Sequence, residues 1–183
     1  EEGFYDKNEN LAVCGGRKKA LEILNKDIKG GDFKDYDKTR DRVENEKGTT
    51  RLSAYLKNGC ISIREFYWTV YEKYGIDHAL IREVYFREFY YGIVFFHPRV
   101  LEGMLGPNKK NKAFIDDTKL KWQNDKKGFE LWCEGKTGTP FVDAGMRQMN
   151  KTGFMHNRLR MVVSMYLTKD LFIDWRDGEK YFA

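Results

Sequence analysis

Long apolar runs, strand-like alternation, internal repeats and cysteine are all scarce in this 183-residue chain. No run is long enough to span a bilayer as a helix, which leaves no membrane partner to consider. Cys14, Cys60 and Cys133 are odd in number, far apart and in no metal-ligand spacing. That pattern excludes a disulfide framework and a zinc site, and it predicts reduced thiols in an intracellular protein. The opening EEGFYDKNEN has no starting Met and none of the features of a signal or transit peptide. The closing DWRDGEKYFA has no polar tail. Both ends read as cuts through a longer chain.

What the chain has instead is charge and aromatic rings. Charged residues make up 33% and hydrophobic residues 41%, with a net charge of +5. The length suffices for one domain with a sizeable core. Aromatics reach 15%, which is high. Rings and basic charge together suit nucleic acid, because bases stack on rings and phosphates attract Lys and Arg. The ordinary alternative is a Tyr/Phe-rich core beneath a Lys-rich solvated face, and on composition alone it is the better of the two.

Helical spacing dominates, and the expected fold class is all-α, a helical cluster. Leu21, Leu24 and Ile28 share one helical face before Gly30-Gly31. Residues 32–50 are polar and read as a surface loop. RLSAYLKNGC reads as a short helix ending at Gly59, and Ser62 with Glu65 forms a capping-box pattern opening the next. Asp77 is placed to cap the long helix that Pro98 ends. Residues 103–121 are a Gly/Asn/Lys-rich connection. FELWCEG is a short helix, KTGTP a turn, and Val142, Met146 and Met149 share a face before the stop at Gly153. MHNRLRMVVSMYLTKDL is expected to be a buried helix.

Several stretches carry more chemistry than a core needs. GTTRLS brings Thr49, Thr50, Arg51, Leu52 and Ser53 to the start of a helix, where hydroxyls, backbone N–H groups and a cation can hold a pyrophosphate. The same residues also read as an ordinary Thr/Ser cap with a surface Arg, the commoner case for an isolated hexapeptide. In IREVYFREFYY, Glu83, Phe86, Arg87 and Tyr90 fall at i, i+3, i+4 and i+7, on one face. An amphipathic core helix with a solvent ion pair explains them equally well. GFMHNRLRM packs Phe154, Asn157, Arg158, Arg160 and Met161 about a helix start. An amide there both donates and accepts.

Read together, GTTRLSAYLKNGCIS, IREVYFREFYY, WCEGKTGTPFVDAGMRQMNKTGFMHNRLRM and LTKDLFIDWRDGEKYF resemble, in order and spacing, the flavin-binding helical domain of the DNA photolyase and cryptochrome family. MHNRLRM is most similar to class I cyclobutane dimer photolyases. The resemblance runs from about Gly15 to the C-terminus. It divides the chain into a connector (1–14) from a missing upstream region and a partial FAD- and DNA-binding helical domain (15–183) whose C-terminal part is absent.

The resemblance implies non-covalent FAD, ultraviolet-damaged DNA as partner, and light-driven splitting of cyclobutane pyrimidine dimers. The antenna chromophore is left unknown, because its domain lies upstream. Another chain or segment would complete the flavin domain. The implied flavin contacts are Tyr36, Thr49, Thr50, Arg51, Leu52, Ser53, Arg87, Asn157 and Arg160. The implied DNA contacts are Arg40, Glu83, Phe86, Arg87, Tyr90, Phe154, Asn157, Arg158 and Met161. Glu83 would hydrogen-bond the dimer, Asn157 would stand between flavin and substrate, and Trp122 and Trp175 would belong to a tryptophan chain that re-reduces flavin. Phe86 and Phe154 stand where relatives usually have Trp, and the proline usual after Arg40-Asp41 is missing. Two other functions stay open: a cryptochrome-type photoreceptor without repair, and a flavin-free nucleic-acid-binding helical fragment.

Overall fold

A computed structural model describes residues 8–98 and 120–183. Every regular element among them is helical. In chain order these are α1 (Arg17–Ile23), α2 (Tyr36–Thr39), α3 (Ser53–Lys57), α4 (Ile63–Tyr74), α5 (Ala79–Phe96), α6 (Lys126–Glu134), α7 (Pro140–Thr152), α8 (Asn157–Met165) and α9 (Trp175–Phe182). Both α1 and α8 run on into a wider π-helical turn, Leu24–Ile28 and Tyr166–Asp170.

The apolar faces bury into two clusters. The first joins Ala20, Leu24 and Ile28 to Tyr55, Phe66 and Val70, and to Leu80, Ile81 and Val84 of α5. The second joins Trp132 of α6 to Val142 and Met146 of α7, Leu159 and Val163 of α8, Leu167 and Ile173. The Trp132 indole is fully buried, and its Nε1–H donates to the Val163 carbonyl at 3.1 Å, so the ring brings no unpaired donor into the core. Gly145 lets α7 and α8 close up, since a Cβ there would lie 3.1 Å from Val163 Cγ2.

Several helix ends follow from sequence. The Ser62 hydroxyl accepts from the Glu65 N–H at 3.0 Å, and the Glu65 carboxylate accepts from the Ser62 N–H at 2.8 Å. Arg17 also donates to Glu65, and with the cap this draws the carboxyl down to about 2. The Asp143 carboxylate fixes the KTGTP turn by accepting from the Thr137 hydroxyl at 2.7 Å and from the Thr137 and Gly138 N–H groups at 2.8 and 3.0 Å. Gly153 ends α7 in the left-handed conformation, φ 66°.

The structure corrects three expectations. The cap of α5 is His78, whose Nδ1 accepts from the Leu80 N–H at 3.3 Å, not Asp77. Residues 32–50 are not simply surface: Phe33 is buried and Tyr36 opens α2. The helix from Asn157 is amphipathic rather than buried, with Leu159 and Val163 inside and Met161, Val162 and Met165 exposed. Residues 8–14 lie against the helices: the Ala12 N–H donates to the Thr152 carbonyl at 3.0 Å, and Val13 packs on the first cluster. The connection 103–121 falls almost wholly outside the described residues.

Candidate functional site

Where the two clusters meet, a cavity of about 610 Å³ opens. That is a volume suited to a cofactor-sized ligand. Its walls come from the α2 segment, residues 49–57, one face of α5, and the start of α8. Residues from positions 36 to 160 thus converge on one hollow.

The 49–53 loop does not act as a plain helix cap. Leu52 is the residue before α3, and no side chain caps that helix; the Thr50 hydroxyl instead accepts from the Leu52 N–H at 3.3 Å. Because α3 is only five residues long, it adds little dipole, and side chains must supply most of the anion-binding power. Arg51 adopts φ 51°, in the left-handed region that side chains other than glycine rarely occupy. Its Nε is buried with no hydrogen-bond partner, and its guanidinium lies over the Phe154 ring, 4.9 Å from the centroid. A strained backbone that holds an unsatisfied cation donor inside a cavity is an arrangement that waits for an anion.

On α5, Glu83, Phe86 and Arg87 line the cavity. Tyr90 does not; it is exposed, and Tyr91, one residue further round the helix, takes the wall position with the Arg87 guanidinium 4.4 Å from its ring centroid. Just before α8 Phe154, and on α8 Asn157, Arg158 and Arg160, line the cavity. Met161 lies outside the lining, but its sulfur is 4.0 Å from Asn157 Nδ2 and 3.7 Å from Arg158 Nη1. Trp122 packs on Phe172, ring centroids 5.2 Å apart, and Trp175 lies under Arg176; neither lines the cavity.

Six cations surround the hollow, Arg40, Arg51, Lys57, Arg87, Arg158 and Arg160, against two carboxylates, Asp41 and Glu83. Arg40 pairs with Glu83. Arg158 grips Asp41 at two points, Nε–Oδ1 2.8 Å and Nη2–Oδ2 2.9 Å. The Arg158 guanidinium holds the Asp41 carboxyl below the usual range, and Asp41 in turn raises Arg158. Burial is the main cause that raises the Tyr36 phenol, with Glu83 adding to it. Arg51, Lys57 and Arg160 have no carboxylate partner among the described residues. The wall therefore carries uncompensated positive charge beside apolar Leu52, Leu56, Phe66, Leu80 and Val84. No cluster of metal-ligating side chains occurs among the described residues.

His156 underlies this wall. The ring is buried; Nδ1 accepts from the Arg158 N–H at 3.1 Å, and Nε2 has no bonded partner. Burial lowers its pKa, and the Arg40 carbonyl and Asp41 offset part of that. His156, Asp41, Lys57 and Tyr91 are lining residues to which the sequence reading gave no site role. Asp41 follows Arg40 and His156 precedes Asn157, so adjacency was the available signal.

Helices around an apolar, cation-rich hollow suit an anionic ligand with apolar surface. The pattern described as the FAD binding domain of DNA photolyase matches residues 80–183, and the chain belongs to that family. It is 44% identical over 155 residues, 81% of this chain and 31% of the relative, to the deoxyribodipyrimidine photo-lyase of Vibrio cholerae. It superposes on the Synechocystis cryptochrome with a TM-score of 0.80 at 34% identity, covering 97% of this chain and 37% of that one. On an archaeal photolyase from Sulfolobus tokodaii, solved with two FAD molecules, the TM-score is 0.76 at 37% identity, covering 96% and 36%. The chain spans about a third of the length of the curated relatives it matches.

Proposed function

We propose that this protein holds FAD non-covalently and serves light-driven splitting of cyclobutane pyrimidine dimers in DNA. The observation that carries the reading is the buried, unpartnered Nε of Arg51 in a cavity where Arg160 and Lys57 also lack counter-charges. An anionic pyrophosphate satisfies that donor set, with the Thr49, Thr50 and Ser53 hydroxyls beside it. Leu52, Tyr36 and Arg87 complete the flavin wall, and Asn157 stands between flavin and substrate. The chemistry FAD supplies when bound is the light-driven loan of one electron to the dimer, which returns after the ring opens. Glu83 offers the flipped bases a hydrogen-bonding carboxyl. Phe86, Phe154, Tyr90 and Met161 give them apolar surface, and Arg40 and Arg158 serve the DNA backbone. Trp122 and Trp175, away from the cavity, are assigned to re-reduction of the flavin.

The test is direct. The intact protein, denatured, should release flavin stoichiometrically, and its reduced form should clear thymine dimers from irradiated oligothymidine under blue light. Glu83→Ala should keep flavin and slow repair under limiting light by roughly ten- to a hundredfold, the loss of one hydrogen bond to a charged group, about 1.5–3 kcal/mol. No released flavin would overturn the reading in favour of a flavin-free nucleic-acid module. Flavin bound with dimers untouched would favour a photoreceptor without repair, the alternative supported by the likeness to the Synechocystis cryptochrome.

A further inference from the structure

Four of the charged side chains around the cavity form one connected chain. Glu83 on α5 pairs with Arg40; Arg40 Nε lies 4.0 Å from Asp41 Oδ1; Asp41 is gripped by Arg158 of α8. Arg158 binds that carboxylate in the two-point fork that guanidinium groups also use for phosphate. The pair is open to solvent, with side-chain exposures of 41% for Arg158 and 51% for Asp41, and pairs this exposed exchange partners at little cost. No carboxylate occupies Arg51, Lys57 or Arg160 among the described residues. The cavity's cations thus divide into an uncompensated set and a set already satisfied from within the chain.

We propose that Asp41 is an internal stand-in for a DNA phosphate, one that any duplex must displace from Arg158. The proposal rests on the DNA-repair reading above and gives it a threshold. A phosphate that takes Arg158 frees Asp41 to gather a counterion of its own, so the swap yields little of the counterion release that drives non-specific binding. An undamaged duplex gains nothing further and is held weakly. A duplex whose flipped dinucleotide also enters the cavity gains contacts that do not depend on the swap. The self-contact lowers the affinity of both duplexes alike, and it is the undamaged one, with no second source of contacts, that falls below useful binding.

The test compares Asp41→Asn with Asp37→Asn in the intact protein. Asp37 is a carboxylate of α2 outside the cavity, so the control removes the same charge from a neighbouring place. Undamaged labelled duplex is titrated at several salt concentrations. Asp41→Asn should steepen the slope of log affinity against log salt by about 0.9, so that a fourfold rise in salt costs it about 3.5-fold more affinity than wild type. Asp37→Asn should leave the slope unchanged, Asp41→Glu should restore wild-type behaviour, and in an Arg158→Gln background Asp41→Asn should add nothing. Equal slopes for Asp41→Asn and Asp37→Asn, or an increment that survives Arg158→Gln, overturn the proposal. Elution from heparin, a polyanion without bases, is the second measurement, with Asp41→Asn eluting later than Asp37→Asn. If that order holds while damaged and undamaged duplexes bind wild type alike, the repair reading falls and the displacement of Asp41 stands.

Discussion

Phe86 stands on the cavity wall with half its surface exposed, at a position where the resemblance implies Trp. The open side leaves room for an indole without repacking. Stacking of a base on an aromatic side chain is worth ~1–3 kcal/mol, of which a phenyl ring keeps the larger part. Phe86→Trp should therefore tighten binding to dimer-containing duplex by a few-fold and leave undamaged duplex unchanged. Titrations of both duplexes at one salt concentration check this, and equal tightening on both would place Phe86 outside the dimer pocket. At this scale the sequence was informative about residue types but not about pairings. Glu83 and Arg40 could each be given a partner in DNA from resemblance, yet the structure pairs them with each other. Their separation of 43 residues in the chain gives no hint of that contact.

Among the elements, α8 carries most of the site and owes its start to an imidazole. His156 Nδ1 accepts from the Arg158 N–H, which requires the neutral ring. The groups facing it are the Arg40 carbonyl and Asp41, which raise its pKa, and Arg158 and Arg160, which lower it; burial outweighs them and the net shift is downward. A histidine whose folded pKa is depressed contributes stability that is present above its unfolded value of about 6.5 and is lost as pH falls through the folded value. The wild-type melting temperature should accordingly fall between pH 7 and pH 5. His156→Asn keeps a capping side chain but cannot titrate, so its melting temperature should fall less over that interval, at a cost near pH 7 of about 1 kcal/mol for the altered cap and packing. Melts at both pH values check this, and parallel curves for the two proteins would refute it. The helices themselves were legible because apolar spacing, the Ser62–Glu65 box and Gly153 are local signals. The cap by His78 and the exposed outer face of α8 were not, because each depends on what packs alongside.

At the scale of the whole molecule, two hydrophobic clusters face each other across a charged, partly open hollow. Among the described residues the contacts that join them include the Asp41–Arg158 fork, Arg51 over Phe154, the Asn8–Lys151 and Ala12–Thr152 hydrogen bonds and Val43 packed on the second cluster. A ligand that touches both walls should act as the missing part of the core. At a hundred times its dissociation constant such a ligand adds about 2.7 kcal/mol, or roughly 5–11 °C for a chain of this size. Far-UV circular dichroism melts with FAD supplied or removed should show that shift and a sharper transition with flavin present. An unchanged midpoint at saturating FAD would mean that flavin does not bridge the clusters. This two-cluster plan could not be read from periodicity, because helical spacing marks which face is buried and not which cluster receives it.

The left-handed turn at Arg51 sets two selective pressures against each other. Glycine would relax that backbone, and a side chain there costs of order 1–3 kcal/mol that the rest of the fold must absorb. A lineage kept only for its fold would drift to glycine at this position, whereas one kept for its ligand would hold the arginine. The residue at position 51 therefore serves as a marker of use. Among chains that share this helical architecture, those with glycine there should bind flavin more weakly, which flavin release on denaturation of such a chain would check.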